Sequence, residues 1–231
     1  MKILIINGSP RVGGTTGQIL QSIKNNLIGL DNSIETEDVN LSETNLQFCT
    51  GCLACYKTGN CNIQDDGQKL ISKIENADGI VFGSPTYSGN VTAYFKLMMD
   101  RVHFVFRQSL KNKACFSVVT YENAGGKNAQ KIINNFIHYS GGAVSSKFIK
   151  KTYLSENNKE SLTLLKLSKK FLKKAKKKNS QNFSEKLFSK LMFKIALKPH
   201  AFKHKDRYTA IIKRWADIGL ISRKKVKNEL Q

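Results

Sequence analysis

The fold of this chain is decided close to its start, by residues 2–16, which read KILIINGSPRVGGTT. Residues 3–6 are a short, wholly apolar run of the kind that forms a buried strand of a parallel sheet. The part that follows is rich in glycine and hydroxyl residues and leads into an amphipathic pattern over about 15–29, which is typical of a helix. The stretch therefore predicts a strand, a tight loop and a helix in immediate succession.

The loop between that strand and helix has the composition of an anion site. Its glycines let the backbone approach a phosphate closely, and the start of the helix offers unpaired N–H groups and the positive end of the helix dipole. Ser9, Thr15 and Thr16 add hydroxyl donors, and Arg11 adds a guanidinium. We therefore predict phosphate binding at this loop, the alternative being an ordinary tight turn.

The same alternation of strand and helix patterns continues to about residue 150. Short apolar runs bounded by Gly, Pro and Asn predict strands, and the runs between them predict helices on both faces of a parallel sheet. Five such units predict an α/β fold with a five-stranded, doubly wound, flavodoxin-like sheet, in which ligands bind beyond the carboxyl ends of the strands. The predicted strands are 2–6, 34–39, 79–83, 113–120 and 143–149, and the predicted helices are 15–29, 66–76, 91–107 and 127–140.

Two further loops follow predicted strands and would reach the same rim of the sheet. The first loop, residues 84–89, has a backbone suited to hydrogen-bonding a flat ring, against which Tyr87 would lie. The second loop contributes Thr120 and Gly125. Each loop alone is typical of an ordinary turn. Three loops on one rim predict a planar cofactor that carries a phosphate. The residues predicted around the ring are Ser84, Pro85, Thr86, Tyr87, Ser88 and Gly89.

Four of the five cysteines lie in one short segment, as Cys49, Cys52, Cys55 and Cys61. Thiolates at such short spacings predict first an iron–sulfur cluster, because these clusters are held by four of them. Free thiols and a zinc site are the alternatives, although zinc usually joins two close cysteine pairs across a longer loop. Cys115 lies in an apolar strand pattern and is expected to be a small core residue.

Together, the rim loops and the cysteine segment resemble the NAD(P)H-dependent FMN reductase group and, within it, the iron–sulfur flavoprotein branch. The resemblance covers about residues 1–150 and is carried by the Gly8-Ser9-Pro10-Arg11 loop, the loop at 84–89 and the cysteines with the two aspartates after them. It implies a [4Fe–4S] cluster on the four cysteines. It also implies FMN, bound around its ring at residues 84–89 and through its phosphate at Ser9, Arg11, Thr15 and Thr16.

The net charge of +21 is concentrated in the last part of the chain. Residues 1–146 carry 13 Lys/Arg and 11 Asp/Glu, a net of +2, whereas residues 147–231 carry 25 and 6, a net of +19. We predict that residues 1–152 form the flavodoxin-like FMN-binding domain, with the cysteine loop at 49–61. Residues 153–231 are predicted to form a basic helical C-terminal extension.

Within the extension, residues 184–198 have an amphipathic pattern that Pro199 is predicted to end. We predict a helix that packs on the core and leaves its lysine face in solvent. Binding at an anionic membrane surface is the alternative. The apolar side contains Leu187, Phe188, Leu191, Met192, Ile195 and Ala196, and the lysines are Lys186, Lys190, Lys194 and Lys198.

The charged residues outside the phosphate loop are expected to have mainly structural roles. Asp65 is predicted to cap the helix at 66–76, with Asp66 in its first turn. Arg101 and Arg107 are predicted to lie in solvated helix positions, the alternative being an approach to the cofactor or a partner. The four histidines do not group in sequence, and no side chain is predicted to act as a catalytic acid or base.

These features predict an FMN-dependent oxidoreductase that passes electrons between a reduced donor, NAD(P)H or ferredoxin, and an acceptor. A cluster-free NAD(P)H-dependent flavin or quinone reductase is one alternative, and a module that docks on an acidic partner or a membrane through its basic tail is another. We expect a homo-oligomer by analogy, and no nucleic acid, since arginine is scarce in the tail. We expect a cytoplasmic location from the cysteine usage and from the lack of a signal-peptide pattern after Met1.

Overall fold

A computed structural model describes residues 1–152, 158–177 and 180–230 of the chain. In these residues the chain forms six strands, β1 (Lys2–Asn7), β2 (Glu35–Asn40), β3 (Gly79–Tyr87), β4 (Asn90–Val91), β5 (Ala114–Tyr121) and β6 (Ala143–Lys151). The α-helices in the same residues are α1 (Thr15–Leu30), α2 (Ala54–Thr58), α3 (Gly67–Asn76), α4 (Ala93–Val102), α5 (Phe104–Arg107), α6 (Gly126–Tyr139), α7 (Asn158–Ala175), α8 (Phe183–Met192), α9 (Lys198–Lys203), α10 (Thr209–Asp217) and α11 (Arg223–Leu230).

The five main strands are parallel and run in the order β2-β1-β3-β5-β6, while the short β4 pairs antiparallel with the end of β3. This is the predicted flavodoxin-like order. Because all five strands point the same way, their carboxyl ends and the loops after them form one rim of the sheet.

Two apolar cores cover the two faces of the sheet. Leu4 and Ile6 of β1 belong to the core under α3, α4 and α6, whereas Ile3 and Ile5 belong to the core under α1 and α7. The split follows from the alternation of side chains along a strand. Cys115 is fully buried in β5, as predicted, and its burial raises the pKa of its thiol.

The predicted extension contributes to the molecule in two places. Its first helix, α7, packs beside α1 on the sheet. The later helices form a third apolar cluster around Trp215, whose ring lies 4.8 Å from that of Phe193 between centroids. The predicted boundary between domain and extension adjoins residues 153–157, which lie outside the described residues.

That third cluster also covers part of the cysteine segment. The ring of Tyr56, in α2, stacks on that of Tyr208 at 5.1 Å between centroids, and a Cβ at Gly59 would lie 3.6 Å from the side chain of Ala210. The helices at the end of the chain therefore pack directly on the short helix that carries Cys55.

Two helix ends differ from the prediction. The helix predicted over 91–107 is interrupted at His103, whose left-handed φ of 50° ends α4 and leaves α5 as one turn. Pro199 does not end the helical run, which continues from α8 through a π-helical turn at Phe193–Leu197 into α9. The proline then lies in the first turn of α9, where its missing N–H is not needed.

The predicted core packing of residues 184–198 is wrong for most of its apolar side chains. No residue of α8 is buried within the described structure, and Leu187 and Leu191 are 55% and 52% exposed. The helix contacts the rest of the protein through Glu185 and Phe188. No helix in the described ranges is long and apolar enough to cross a lipid bilayer.

Candidate functional site

The loop after β1 is held in a compact shape by its own hydrogen bonds. The N–H of Ser9 donates to Oδ1 of Asn7 at 3.0 Å, and the Ser9 hydroxyl donates to the carbonyl of Arg11 at 2.9 Å. The N–H of Gly8 donates to the carbonyl of Gly83 at 2.8 Å, which fastens the loop to β3. Ser9 is nearly fully buried, and its side chain shapes the loop.

The start of α1 is open to an anion. Gly14 occupies its N-terminal cap position, and no side chain of the described residues caps the first turn. Uncapped N–H groups and the helix dipole favour a negatively charged ligand at this point. A Cβ at Gly17 would overlap the carbonyl oxygen of Val12, so only glycine lets the loop fold back onto the helix. Arg11 is exposed beside this opening.

The loop between β3 and β4 forms a second wall. Ser88 and Gly89 both have positive φ, 49° and 72°, as in the two-residue type I′ turn of a hairpin. Just before them, Oγ1 of Thr86 is buried and has no hydrogen-bond partner among the described residues. Buried hydroxyls are seldom left without a partner, so this atom is available to a ligand. Tyr87 is 46% exposed, which leaves its ring accessible.

The loop after β5 forms the third wall. Oγ1 of Thr120 lies 2.7 Å from Oγ1 of Thr16, and this hydrogen bond joins β5 to the start of α1. Eight of the twelve predicted cofactor-binding residues thus line one groove. The groove is lined by Ser9, Arg11, Gly14, Thr15, Thr16, Pro85, Thr86, Tyr87, Thr120, Tyr121, Glu122 and Thr152.

The other four predicted residues, Ser84, Ser88, Gly89 and Gly125, lie behind or beside this groove rather than in its lining. The buried hydroxyl of Ser84 donates to the carbonyl of Pro85 at 2.8 Å. A Cβ at Gly125 would lie 2.6 Å from Cα of Gly89, so the two glycines let their loops touch. A direct binding role for these four residues stays a prediction.

The sequence interpretation missed Thr92, which connects two walls of the groove. Its buried hydroxyl donates to the carbonyl of Gly8 at 2.6 Å and caps α4 by accepting from the N–H of Phe95 at 3.2 Å. A threonine directly before a helix is a capping signal that sequence can offer. Its bond to Gly8, 84 residues away, depends on the folded sheet. Four lining residues of the groove were also missed: Gly14, Tyr121, Glu122 and Thr152.

The cysteines lie in the loop that follows β2, at the same rim of the sheet. Gly51, Leu53 and Gly59 have left-handed φ values of 69°, 61° and 90°, which let the chain reverse direction around α2. The loop thereby presents its thiols at different depths: Cys49 and Cys52 are exposed, Cys61 is half-buried and Cys55 is buried.

Arg101 of α4 fastens both ends of this cysteine loop. Its guanidinium forms a bidentate ion pair with Asp65, through Nη1 to Oδ2 and through Nη2 to Oδ1 at 2.8 Å, and both side chains are fully buried. Nη1 also donates to the carbonyl of Gln47 at 2.6 Å. Nη2 lies 3.6 Å from Sγ of Cys61. One buried cation therefore holds residues from before and after the thiols.

These contacts correct the predicted roles of the charged residues. Arg101 is not solvated, and Asp66, not Asp65, occupies the cap position of α3. Burial raises the pKa of Asp65, but hydrogen bonds from Arg101 and from two backbone N–H groups outweigh it and hold the pKa below its usual value. Arg107 is also buried, where it pairs with Glu75 at 3.0 Å. No local sequence signal indicates these partners.

The buried thiol of Cys55 is influenced electrostatically by the other three thiols of the loop. Burial, together with the nearby thiols of Cys61, Cys49 and Cys52, raises the pKa of Cys55 to about 11. In the part of the chain that the structure describes, no three His, Cys, Asp or Glu side chains are arranged to hold a metal ion. The donor set itself, four thiols on one short loop beside a buried guanidinium, fits the chemistry of an iron–sulfur cluster, whose ligands are thiolates.

Comparison with known proteins agrees with this geometry. Residues 1–150 match the family model of the NADPH-dependent FMN reductases. The chain is 37% identical over 225 residues to an iron–sulfur flavoprotein of Clostridioides difficile (strain 630), covering 96% of this chain and 100% of that one. It is 33% identical over 145 residues to an iron–sulfur flavoprotein of Methanosarcina thermophila, covering 61% of this chain and 75% of that one.

Solved structures share the fold at lower identity. An NADH:FMN oxidoreductase in its apo form has a TM-score of 0.56 and 18% identity, covering 74% of this chain and 87% of that one. An archaeal flavodoxin has a TM-score of 0.53 and 14% identity, covering 77% of this chain and 100% of that one. The family match and the relative that aligns along nearly the whole chain show that this protein belongs to the NADPH-dependent FMN reductase family, within its iron–sulfur flavoprotein branch, and is a flavin oxidoreductase.

Proposed function

We propose that the protein binds FMN in the groove and a [4Fe–4S] cluster on the cysteine loop, and that it passes electrons between NAD(P)H or ferredoxin and an acceptor. When bound, the flavin would exchange electrons in pairs or singly and the cluster would carry one at a time. The names of the two relatives, both iron–sulfur flavoproteins, support the cluster. The family description supports NADPH as a donor.

The observation that carries this proposal is the attachment of both sites to α4. Thr92, which caps the start of α4, bonds to the loop that borders the groove, and Arg101, near the end of α4, holds the cysteine loop. The nine-residue interval between them corresponds to about 14 Å along a helix. One rigid element therefore fixes the distance between the two proposed redox sites.

For FMN, we assign binding roles by position along the groove. The uncapped start of α1, with Thr15, Thr16 and Arg11, would hold the phosphate, because it offers N–H groups, hydroxyls and a guanidinium to one anion. The buried hydroxyl of Thr86 would gain its missing partner from the cofactor. The accessible ring of Tyr87 would lie against the flavin.

For the cluster, Cys49, Cys52, Cys55 and Cys61 would supply the four thiolates. Arg101 places a positive charge 3.6 Å from the sulfur of Cys61, which stabilises negative charge there. A cluster-free NAD(P)H-dependent flavin or quinone reductase is the second candidate. It is favoured by the fact that the thiols of the described loop are not already arranged to bind a metal.

Anaerobic stopped-flow experiments on the full-length, FMN-loaded protein test the proposal. We expect NADPH, NADH or reduced ferredoxin to bleach the flavin absorbance. In Cys61→Ser, bleaching by NAD(P)H should persist while electron transfer from reduced ferredoxin to the flavin falls. Cys115→Ala is the matched control, because this cysteine is buried in β5, outside the loop. Equal transfer by native protein and Cys61→Ser would favour the cluster-free reductase.

A further inference from the structure

We propose that α8 and the turn after it form a docking surface for an anionic lipid bilayer. The surface is built on an apolar stripe, defined as Phe183, Leu187, Leu191 and Ile195. These side chains recur every fourth residue, so they follow one face of a continuous helical run about 18 Å long. They are 84%, 55%, 52% and 65% exposed.

The exposure of the stripe does not come from a loosely attached helix. A capping box between Asn182 and Glu185 begins α8, and Oε1 of Glu185 accepts a hydrogen bond from the N–H of Val144 in β6 at 3.1 Å. The ring of Phe188 lies 5.8 Å from that of Tyr139 in α6. One side of the helix is therefore fixed to the domain, and this leaves the stripe in solvent.

Lysines accompany the stripe. Lys186, Lys190 and Lys194 also recur every fourth residue, are exposed, and form no ion pair with a described residue. Residues 183–203 contain five lysines and one acidic residue, Glu185, which is already engaged by the capping box. An apolar stripe with adjacent lysines is the pattern of a helix that lies in the membrane interface. The lysines would attract anionic headgroups, and the apolar side chains would enter the acyl boundary.

Other occupants fit this surface less well. A symmetric contact with a second copy would bring two rows of lysines together, because the same patch meets itself across a two-fold axis. An acidic protein would complement the lysines but would also have to cover four exposed apolar side chains in line. A bilayer supplies anionic charge and an apolar layer together, without a shaped groove.

Co-sedimentation with vesicles tests this proposal on the full-length, FMN-loaded protein. We expect binding to vesicles of phosphatidylserine in phosphatidylcholine, weakening as salt is added, and little binding to phosphatidylcholine alone. Replacing Lys186, Lys190 and Lys194 by Gln should lower the partition coefficient by roughly 100-fold. Leu187→Glu with Leu191→Glu should abolish binding, because each substitution places a charge where the apolar boundary is needed.

Matched controls lie on α7, which packs on the opposite face of the sheet from α6 and α8. Leu162→Glu changes a leucine that is 57% exposed, and Lys166, Lys169 and Lys170 can be replaced by Gln to remove the same charge. Both controls should bind like the native protein. Three results would each overturn the proposal: no binding of native protein to the anionic vesicles, unchanged binding by the stripe variants, or an oligomer that the leucine variants dissociate without any lipid binding.

Discussion

Replacing Arg101 by methionine removes the cation that holds the cysteine loop and leaves Asp65 buried without its ion pair. Both side chains are fully buried. Removing one partner of a buried ion pair costs about 3–5 kcal/mol. Asp65 would keep hydrogen bonds from the N–H groups of Gln47 and Gly67, at 2.8 and 2.9 Å, so we expect the lower end of that range, about 3 kcal/mol, in the free energy of unfolding.

Denaturant unfolding followed by tryptophan fluorescence measures this loss, because the single tryptophan, Trp215, lies in the cluster that packs on the cysteine segment. Lys96→Met is the matched control on the same helix. Lys96 pairs with Asp100 at 2.6 Å, but the two side chains are 57% and 46% exposed. An exposed pair of this kind contributes about 0–1 kcal/mol.

A double-mutant cycle separates the ion pair from other effects. If Arg101 and Asp65 stabilise the fold through each other, Asp65→Asn combined with Arg101→Met should cost less than the sum of the two single changes. A loss in Arg101→Met no larger than that in Lys96→Met, or strictly additive single changes, would refute the idea that this pair fastens the loop.

Three further predictions concern the groove and the sheet. Gly17→Ala should abolish FMN binding, as measured by flavin titration, because the new Cβ would overlap the carbonyl of Val12. Gly29→Ala is the control in open space on the same helix, and it should instead stabilise the protein by up to about 1 kcal/mol, as measured by thermal melts. Thr86→Val should weaken FMN binding about tenfold with little change in stability, as measured by flavin fluorescence, because the buried hydroxyl would lose its ligand partner. Glu37 contacts the ammonium groups of Lys2 and Lys73 at 2.6 and 3.0 Å, which lower the pKa of its carboxyl in the folded protein, so its contribution to stability is complete above the ordinary carboxyl pKa and is lost as the pH falls through the lowered value. Glu37→Gln should therefore be less stable than native protein near neutral pH and equally stable in acid, as measured by unfolding titrations at the two pH values.

Each of these predictions has an outcome that contradicts it. Normal FMN affinity in Gly17→Ala would mean that the loop after β1 does not shape the binding site. Unchanged affinity in Thr86→Val would remove that hydroxyl from the site. A stability difference in Glu37→Gln that persists unchanged into acid would show that its charge is not the stabilising feature.

The sheet and its rim loops could be predicted because their signals are local. An apolar run such as residues 3–6, followed by glycines and then a helix pattern, specifies strand, loop and helix within a few neighbouring residues. Parallel order then brings the loops to one rim, which is why Thr16 and Thr120, 104 residues apart, were both expected at the groove and are hydrogen-bonded there.

The fastening of the cysteine loop could not be predicted in this way. Asp65 and Arg101 are 36 residues apart, and their pairing depends on how α4 packs against the loop. The prediction that residues 184–198 pack on the core was wrong for a related reason. Periodicity shows that a helix such as residues 184–198 has an apolar face, but it does not show whether another element covers that face.

In our proposal, one chain carries both FMN and an iron–sulfur cluster on the loop at 49–61. Assaying iron, acid-labile sulfide and FMN together in anaerobically purified full-length protein decides whether both are present. We predict about four iron and four sulfide per FMN, with a broad visible absorbance that dithionite bleaches. One FMN per chain with neither iron nor sulfide would contradict the presence of the cluster.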